Sequence, residues 1–170
     1  MASTLHDELC IRGKTWLKNT YGCQTAFKEI DTTGGEQPDC FGVRHGLTIL
    51  IEVKTSKSDY LADFKKPWRQ EGKGMGQVRY YLTPKGLLDP KVDLPKGWGL
   101  LEATAKQIKV VAGINPRKDD LYPIHLLKSH PEFIFESRDT FSELYLLNSV
   151  IRRIEVRVGD IQQFTKEHPY

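Results

Sequence analysis

The stretch Pro38-Asp39-Cys40-Phe41-Gly42-Val43-Arg44-His45-Gly46-Leu47-Thr48-Ile49-Leu50-Ile51-Glu52-Val53-Lys54 decides the architecture. Two apolar runs, Cys40 to Val43 and Leu47 to Val53, flank Arg44-His45-Gly46 and read as a β-hairpin. The second run is apolar at nearly every position, so its strand is expected to be buried on both faces. Strands joined by a short turn bring their outer ends together, so Asp39 and Glu52 should converge on one side of the sheet. Glu52 and Lys54, two residues apart, share a face of their strand, with Val53 opposite.

Working outward, Thr4 and Asp7 resemble a capping box ahead of Leu5, Leu9, Trp16 and Leu17, which predicts a helix from about Leu5 to Asn19. Cys23 to Ile30 reads as a strand and Thr32 to Gln37 as a polar loop. Beyond the hairpin, Ser56 to Asp59 opens a short helix that must stop before Pro67. Glu71 to Gly76 is a loop, Val78 to Leu82 a strand, and Thr83 to Lys96 an irregular connection with three prolines. Trp98 to Ala103 and Gln107 to Val111 predict a second hairpin, and Gly113 to Pro123 a loop. Thr140 to Glu143 reads as a capping box for a helix whose apolar face is Phe141, Leu144, Leu147, Val150, Ile151 and Ile154. The order predicts a mixed α/β sandwich, with helices against a central sheet.

Composition fits this picture. At 170 residues, with 39% hydrophobic and 28% charged, the chain has the size and make-up of one globular domain. The expectation is a single unit over residues 1–170, with a core of about 3–112 and a helix-bearing C-terminal extension from about 113. No apolar run approaches the ~18 residues of a membrane span. The first eight residues have no basic cluster leading into an apolar segment, so a secretory signal is not expected. Cys10, Cys23 and Cys40 are odd in number and widely spaced, which suits reduced thiols and a cytoplasmic protein away from membranes.

The net charge is only +3, but its distribution is uneven: Lys54 to Lys85 holds eight basic and three acidic residues, a local balance of +5. A basic segment of this kind is either a solvated face or the footprint of a polyanion. Lys57, Lys65, Lys66, Arg69, Lys73 and Arg79 are the candidate phosphate contacts, with Trp68 as a stacking residue. Tyr80 and Tyr81 alternate along a strand, so at least one belongs to the core.

Two acids and a lysine meeting beside such a segment have a chemical rationale. Two carboxylates hold a hard divalent cation, with water and a phosphate oxygen completing the near-octahedral shell that Mg²⁺ prefers. Such an ion lowers the pKa of a bound water and offsets charge on a scissile phosphate. Lys54 could orient the attacking water or stabilise developing negative charge. Glu8 is a further candidate, either lending a carboxylate to the metal or pairing with Arg12 at i,i+4. Other apparent motifs fail: Gly13-Lys14-Thr15 mimics a P-loop tail, but Glu8 stands where its first glycine belongs. The five histidines show no metal-ligand or triad spacing.

Pro38-Asp39 followed by Glu52-Val53-Lys54 resembles the active-site signature of the PD-(D/E)xK nuclease superfamily. The run from Ile51 to Asp63 is similar to that of the MmcB-like DNA-repair nucleases and related bacterial and phage proteins, as are Arg79 to Pro84 and Leu94 to Leu101. The resemblance spans roughly 36–111 and departs from the family at Lys65-Lys66-Pro67-Trp68, where members carry an unbroken Lys-Trp. It implies a restriction-endonuclease-like α/β/α sandwich with a central mixed sheet and core order αβββαβ plus C-terminal additions. It implies further that Asp39 and Glu52 bind Mg²⁺, or Mn²⁺ in its place, that Val53 offers its backbone carbonyl, and that Lys54 is catalytic. Glu8 takes the place of the family's helix-borne acid. The expected activity is a metal-dependent DNA nuclease in repair, recombination or phage DNA metabolism. The alternative is a non-cleaving nucleic-acid-binding or phage-host interaction protein with the same fold. A homodimer paired through the C-terminal helix is left open.

Overall fold

The structure, a computed structural model, describes residues 4–30 and 35–169. The predicted hairpin is present as β2 (Cys40–Arg44) and β3 (Leu47–Val53), joined by His45 and Gly46. Both turn residues have positive φ, 47° and 80°, the twist that a two-residue hairpin turn needs. Strand β1 (Thr25–Lys28) pairs antiparallel with β2. On the other side of β3, β4 (Val78–Pro84) and then β5 (Trp98–Ala103) run parallel to it, and β6 (Ile108–Ala112) returns antiparallel. The six-stranded mixed sheet has the spatial order β1-β2-β3-β4-β5-β6.

Because β3 lies inside the sheet, every one of its residues is buried. Alternation splits it between two layers. Ile49, Ile51 and Val53 join Tyr80, Leu82 and Leu101 beneath Leu9, Cys10 and Trp16 of α1 (Thr4–Trp16) and Leu126 of α3 (Pro123–Ser129). On the opposite face, Leu50 packs with Phe41, Tyr81, Trp98 and Leu100 against Tyr60 of α2 (Lys57–Asp63) and Leu146 of α4 (Thr140–Val158). Tyr80 and Tyr81 are therefore both core residues, one on each face.

Boundaries depart from the sequence reading for local reasons. Helix α1 passes into a π-helical turn, Leu17–Tyr21, that Gly22 closes in the left-handed conformation. Gly13, the P-loop mimic, lies where α1 presses on the sheet; a Cβ there would stand 3.0 Å from Cys40 Sγ. Helix α2 opens where expected, and Ser56 caps it, its hydroxyl accepting from Asp59 N–H. The Thr4 side chain and residues 31–34 of the polar loop lie outside the described residues. Helix α3 was not expected: unlike α2, it has no side-chain cap to mark its start.

Helix α4 corrects the capping expectation. Asp139, not Thr140, caps it by accepting from Ser142 N–H, and Glu143 turns into the core. There its carboxylate accepts from Thr48 Oγ1, Gly76 N–H and Arg138, tying the helix to β3 and the loop before β4. Only two of the six residues of the expected apolar face are used: Leu147 and Val150 pack on the sheet, whereas Phe141, Leu144, Ile151 and Ile154 are exposed. From Ile151 to Val158 the helix is exposed all round, and it is followed by α5 (Ile161–Glu167). Among the described residues no helix is long and apolar enough to cross a membrane.

The tightest point of the sheet is Gly99, where a Cβ would meet the Tyr80 ring at 2.4 Å and Ala112 O at 2.9 Å. Gly99→Ala is expected to cost about 1–3 kcal/mol through overpacking. In urea unfolding it should lower the midpoint at unchanged slope; an unchanged midpoint would remove this contact from the account.

Candidate metal and phosphate site

The hairpin delivers the expected convergence. Asp39, one residue before β2, accepts a hydrogen bond from Val53 N–H at 2.7 Å through Oδ2. A strand residue sends its N–H and C=O to the same side, so the Val53 carbonyl points to the same edge of β3 as its N–H, the edge toward β2. Glu52 comes close enough for the Asp39 charge to act on it. Burial, then the Asp39 carboxylate, push the Glu52 carboxyl up to about 7, against the opposing pull of Arg69, Lys54 and Lys66.

Lys54 is on the same face as Glu52, buried at 3% exposure, with Nζ 3.2 Å from Glu52 Oε2 and 3.2 Å from Asp63 Oδ1. Burial alone would lower its pKa, but Glu52, Asp63 and Asp39 together raise it above the ordinary lysine value. Lys54 is therefore a fixed ammonium at neutral pH, suited to stabilising anionic charge and unsuited to accepting a proton.

Asp63, at the end of α2, is the acid that a role-by-role reading of the sequence passed over. It is fully enclosed and meets Arg69 through Nε, Lys66 Nζ at 2.8 Å and the Tyr81 hydroxyl, which donates at 2.9 Å. Burial works against its charge; Arg69, Lys66 and Lys54 overcome this and hold it well below the usual carboxylate range. Glu36 is a second unforeseen acid: one oxygen accepts from Arg69 and the other from Met75 N–H at 2.6 Å. Only the α2 acid had a sequence signal, since Asp63 closes the quoted run that starts at Ile51. Nothing near Glu36 marked it.

Arg69 is thus not a phosphate contact. Its side chain is 5% exposed, held by Glu36, Glu52 and Asp63, and its guanidinium carbon lies 4.9 Å from the centre of the Trp98 ring. Arg79 is corrected in the same way. It donates to the carbonyls of Gly76, Lys73 and Gly74 and lies over Phe135, and burial lowers its pKa to about 10. Both arginines belong to the basic segment in sequence but are enclosed by the strands and loops around it.

The other cations are better placed. Lys65 and Lys73 are exposed; Lys57 is half-exposed and paired with Asp93; Lys66 is 38% exposed and lies 5.9 Å from the Trp68 ring. Trp68 is half-buried, with its indole N–H enclosed, so a full stacking face is not offered.

Glu8 does not join the cluster. Its carboxylate is 59% exposed and 3.4 Å from Arg12, which reaches on to the carbonyls of Thr104 and Gln107 beyond β5. The group that α1 turns toward Asp39 is His6, with Nε2 3.4 Å from Asp39 Oδ1. The hydrogen bond to Asp39 leads in raising the His6 pKa to about 9, against partial burial.

Removing Arg69 would leave Glu36, Glu52 and Asp63 short of a shared buried partner. Arg69→Ala is expected to lose about 3–5 kcal/mol, whereas Lys65→Ala on the surface should stay within about 0.5 kcal/mol. Chemical denaturation of the two variants measures this, and equal stability would contradict the enclosed role of Arg69.

No family model matches the chain, and no curated protein matches it. A solved structure of a protein of unknown function from Silicibacter pomeroyi is similar, with a TM-score of 0.51 and 20% sequence identity over 89% of each chain. At that identity the likeness concerns the fold: a mixed sheet between helices.

Proposed function

We propose that the chain is a metal-dependent DNA nuclease on a restriction-endonuclease-like fold. The observation that carries this reading is the meeting of Asp39, Glu52 and Lys54 at the ends of two paired strands. The fold reading is supported by the order of elements: a helix, an antiparallel β1-β2-β3 meander, a helix, and β4 added parallel to β3.

The donor set fits a hard divalent cation. Asp39 and Glu52 supply carboxylate oxygens and Val53 a carbonyl, the ligands that Mg²⁺ and Mn²⁺ accept. Burial, and then the Asp39 charge, disfavour the ionised Glu52, and a cation held between the two carboxylates would offset both. When bound, such an ion acidifies water and draws charge from phosphate oxygens. Lys54, kept protonated by its two carboxylates, would stabilise the anionic phosphate as its bond to the leaving oxygen breaks. Lys65, Lys66 and Lys73 would guide the DNA backbone to the site, and Val53 N–H fixes the orientation of Asp39.

One feature favours the non-cleaving alternative. Lys54, Lys66 and Arg69 all approach Glu52 Oε2 within 3.6 Å, so this carboxylate is already neutralised by the protein's own cations. Labelled linear, nicked and branched DNA incubated with the full chain and Mg²⁺ or Mn²⁺ separates the readings. Cleavage is expected, and Asp39→Ala, Glu52→Gln and Lys54→Ala should each reduce it by about a hundredfold or more. Intact DNA throughout, or equal cleavage by the variants, would overturn the nuclease reading.

A further inference from the structure

On the side of Asp39 facing away from Val53, a second group of ligands meets. His6 and Cys10 are four residues apart on one face of α1, and Asp39 stands opposite them. One ligand atom from each lies within 4.8 Å of the others. Cys10 Sγ is 3.6 Å from His6 Nδ1 and 3.9 Å from Nε2, and Nε2 is 3.4 Å from Asp39 Oδ1.

These separations have chemical meaning. Tetrahedral zinc, with ordinary bond lengths to sulfur, nitrogen and oxygen, places a sulfur and a nitrogen about 3.6 Å apart and a nitrogen and an oxygen about 3.4 Å apart. The two separations from His6 Nε2 lie within a few tenths of an ångström of these values, and the imidazole, which flanks the thiol with both nitrogens, turns to aim Nε2 at a shared ion. The surroundings of the imidazole agree. With Nε2 as the ligand atom, Nδ1 is left near Glu29 Oε1, at 3.9 Å, and Asp7 Oδ1, at 4.0 Å, beyond hydrogen-bond distance but within reach of a carboxylate that turns to take its N–H, as outer carboxylates do for a metal-bound histidine. Cys10 is a free thiol, buried at the back of the site, while His6 and Asp39 are each about one-fifth exposed and form its mouth.

We infer that His6, Cys10 and Asp39 form a zinc-class site, with one thiolate, one imidazole and one carboxylate as ligands and the fourth position open to solvent. On binding, Cys10 gives its proton to water and its sulfur to the ion. The site differs in kind from the Asp39, Glu52 and Val53 set, because thiolate and imidazole select a softer ion than Mg²⁺. The two sites share Asp39. A further consequence rests on the nuclease reading: zinc at His6 and Cys10 takes Asp39 away from the hard-cation site, and so acts as an inhibitor.

Cobalt(II), a spectroscopic stand-in for zinc, tests the site without any need for activity. Added to the full-length reduced protein, one equivalent should produce a thiolate-to-cobalt charge-transfer band and the strong visible absorption of tetrahedral cobalt, both erased by one equivalent of Zn²⁺. Cys10→Ser and His6→Ala should lose the charge-transfer band and Cys23→Ser should keep it, while Asp39→Asn weakens cobalt binding by at least about tenfold. His6 is at the mouth of the site, so His6→Ala tests the claim even if the buried Cys10 variant fails to fold. No band in folded wild type, or a band that survives in His6→Ala, would overturn the proposal. In the Mg²⁺ cleavage assay, one equivalent of Zn²⁺ should cut the wild-type rate by at least about tenfold, and an unaffected rate with cobalt bound would refute the competition for Asp39. The cobalt band without cleavage under any condition keeps the site and rejects the nuclease reading; cleavage without the band does the reverse.

Discussion

Three carboxylates, Glu36, Glu52 and Asp63, close around the guanidinium of Arg69 out of reach of solvent, and the rest of the site depends on that clasp. Glu36 comes from the segment before β2, Glu52 from the centre of the sheet and Asp63 from the end of α2, so one side chain fixes three parts of the chain relative to one another. Its value does not lie in raw stability. A buried ion pair commonly does no better than well-packed apolar groups of the same volume, but removal of one partner leaves an uncompensated charge. What the clasp achieves is an electrostatic setting: Asp63 is held ionised, Lys54 is held protonated beside it, and Glu52 is left between cations on one side and the Asp39 charge on the other.

The sheet explains why these groups can be buried at all. Glu52 lies in register with Tyr81 of β4, whose ring stacks on Trp98 with centroids 4.3 Å apart, and Arg69 lies over that same Trp98. The aromatic layer excludes water beneath the charges, and the Tyr81 hydroxyl returns one hydrogen bond to Asp63. The loop before β4 closes the other side. Gly74 adopts φ +81°, and a side chain there would strike Trp68 O at 2.4 Å, so the loop folds flush against the Pro67–Arg69 turn. Low dielectric strengthens each pairing and equally raises the cost of an unpaired charge, which is why the charges occur as a connected network.

Much of this was legible in the residues themselves, and what was not has a physical reason. The apolar run Leu47 to Val53 and the His45-Gly46 turn fix the hairpin, and a hairpin brings Asp39 and Glu52 together whatever surrounds it. Strand order beyond β3 and the convergence of Glu36, Asp63 and Arg69 depend on contacts between residues up to 33 positions apart, which no local pattern encodes. The basic segment misleads for a related reason. Charge counted along the chain treats Arg69 and Arg79 like Lys65 and Lys73, although tertiary packing encloses the first pair and leaves the second pair in water. Helical spacing placed Glu8 beside the sheet but could not say which side of α1 meets Asp39; His6 takes that place, and the Arg12 contacts with Thr104 and Gln107 turn Glu8 the other way. Glu143 read as a cap because its spacing from Thr140 is that of a capping box, and the buried Thr48 and Gly76 donors outcompeted that role.

The central claim is that Asp39 and Glu52 form one hard-cation site on a scaffold already neutralised around them. Titration of the metal-free protein with Mn²⁺, followed by electron paramagnetic resonance of the unbound ion, tests it most directly, with Mg²⁺ as the competitor. The account predicts one Mn²⁺ ion displaced by Mg²⁺, with binding lost in both Asp39→Asn and Glu52→Gln and kept in Cys10→Ser. Binding that persists undiminished in Glu52→Gln, or no binding to the folded wild type, would contradict it.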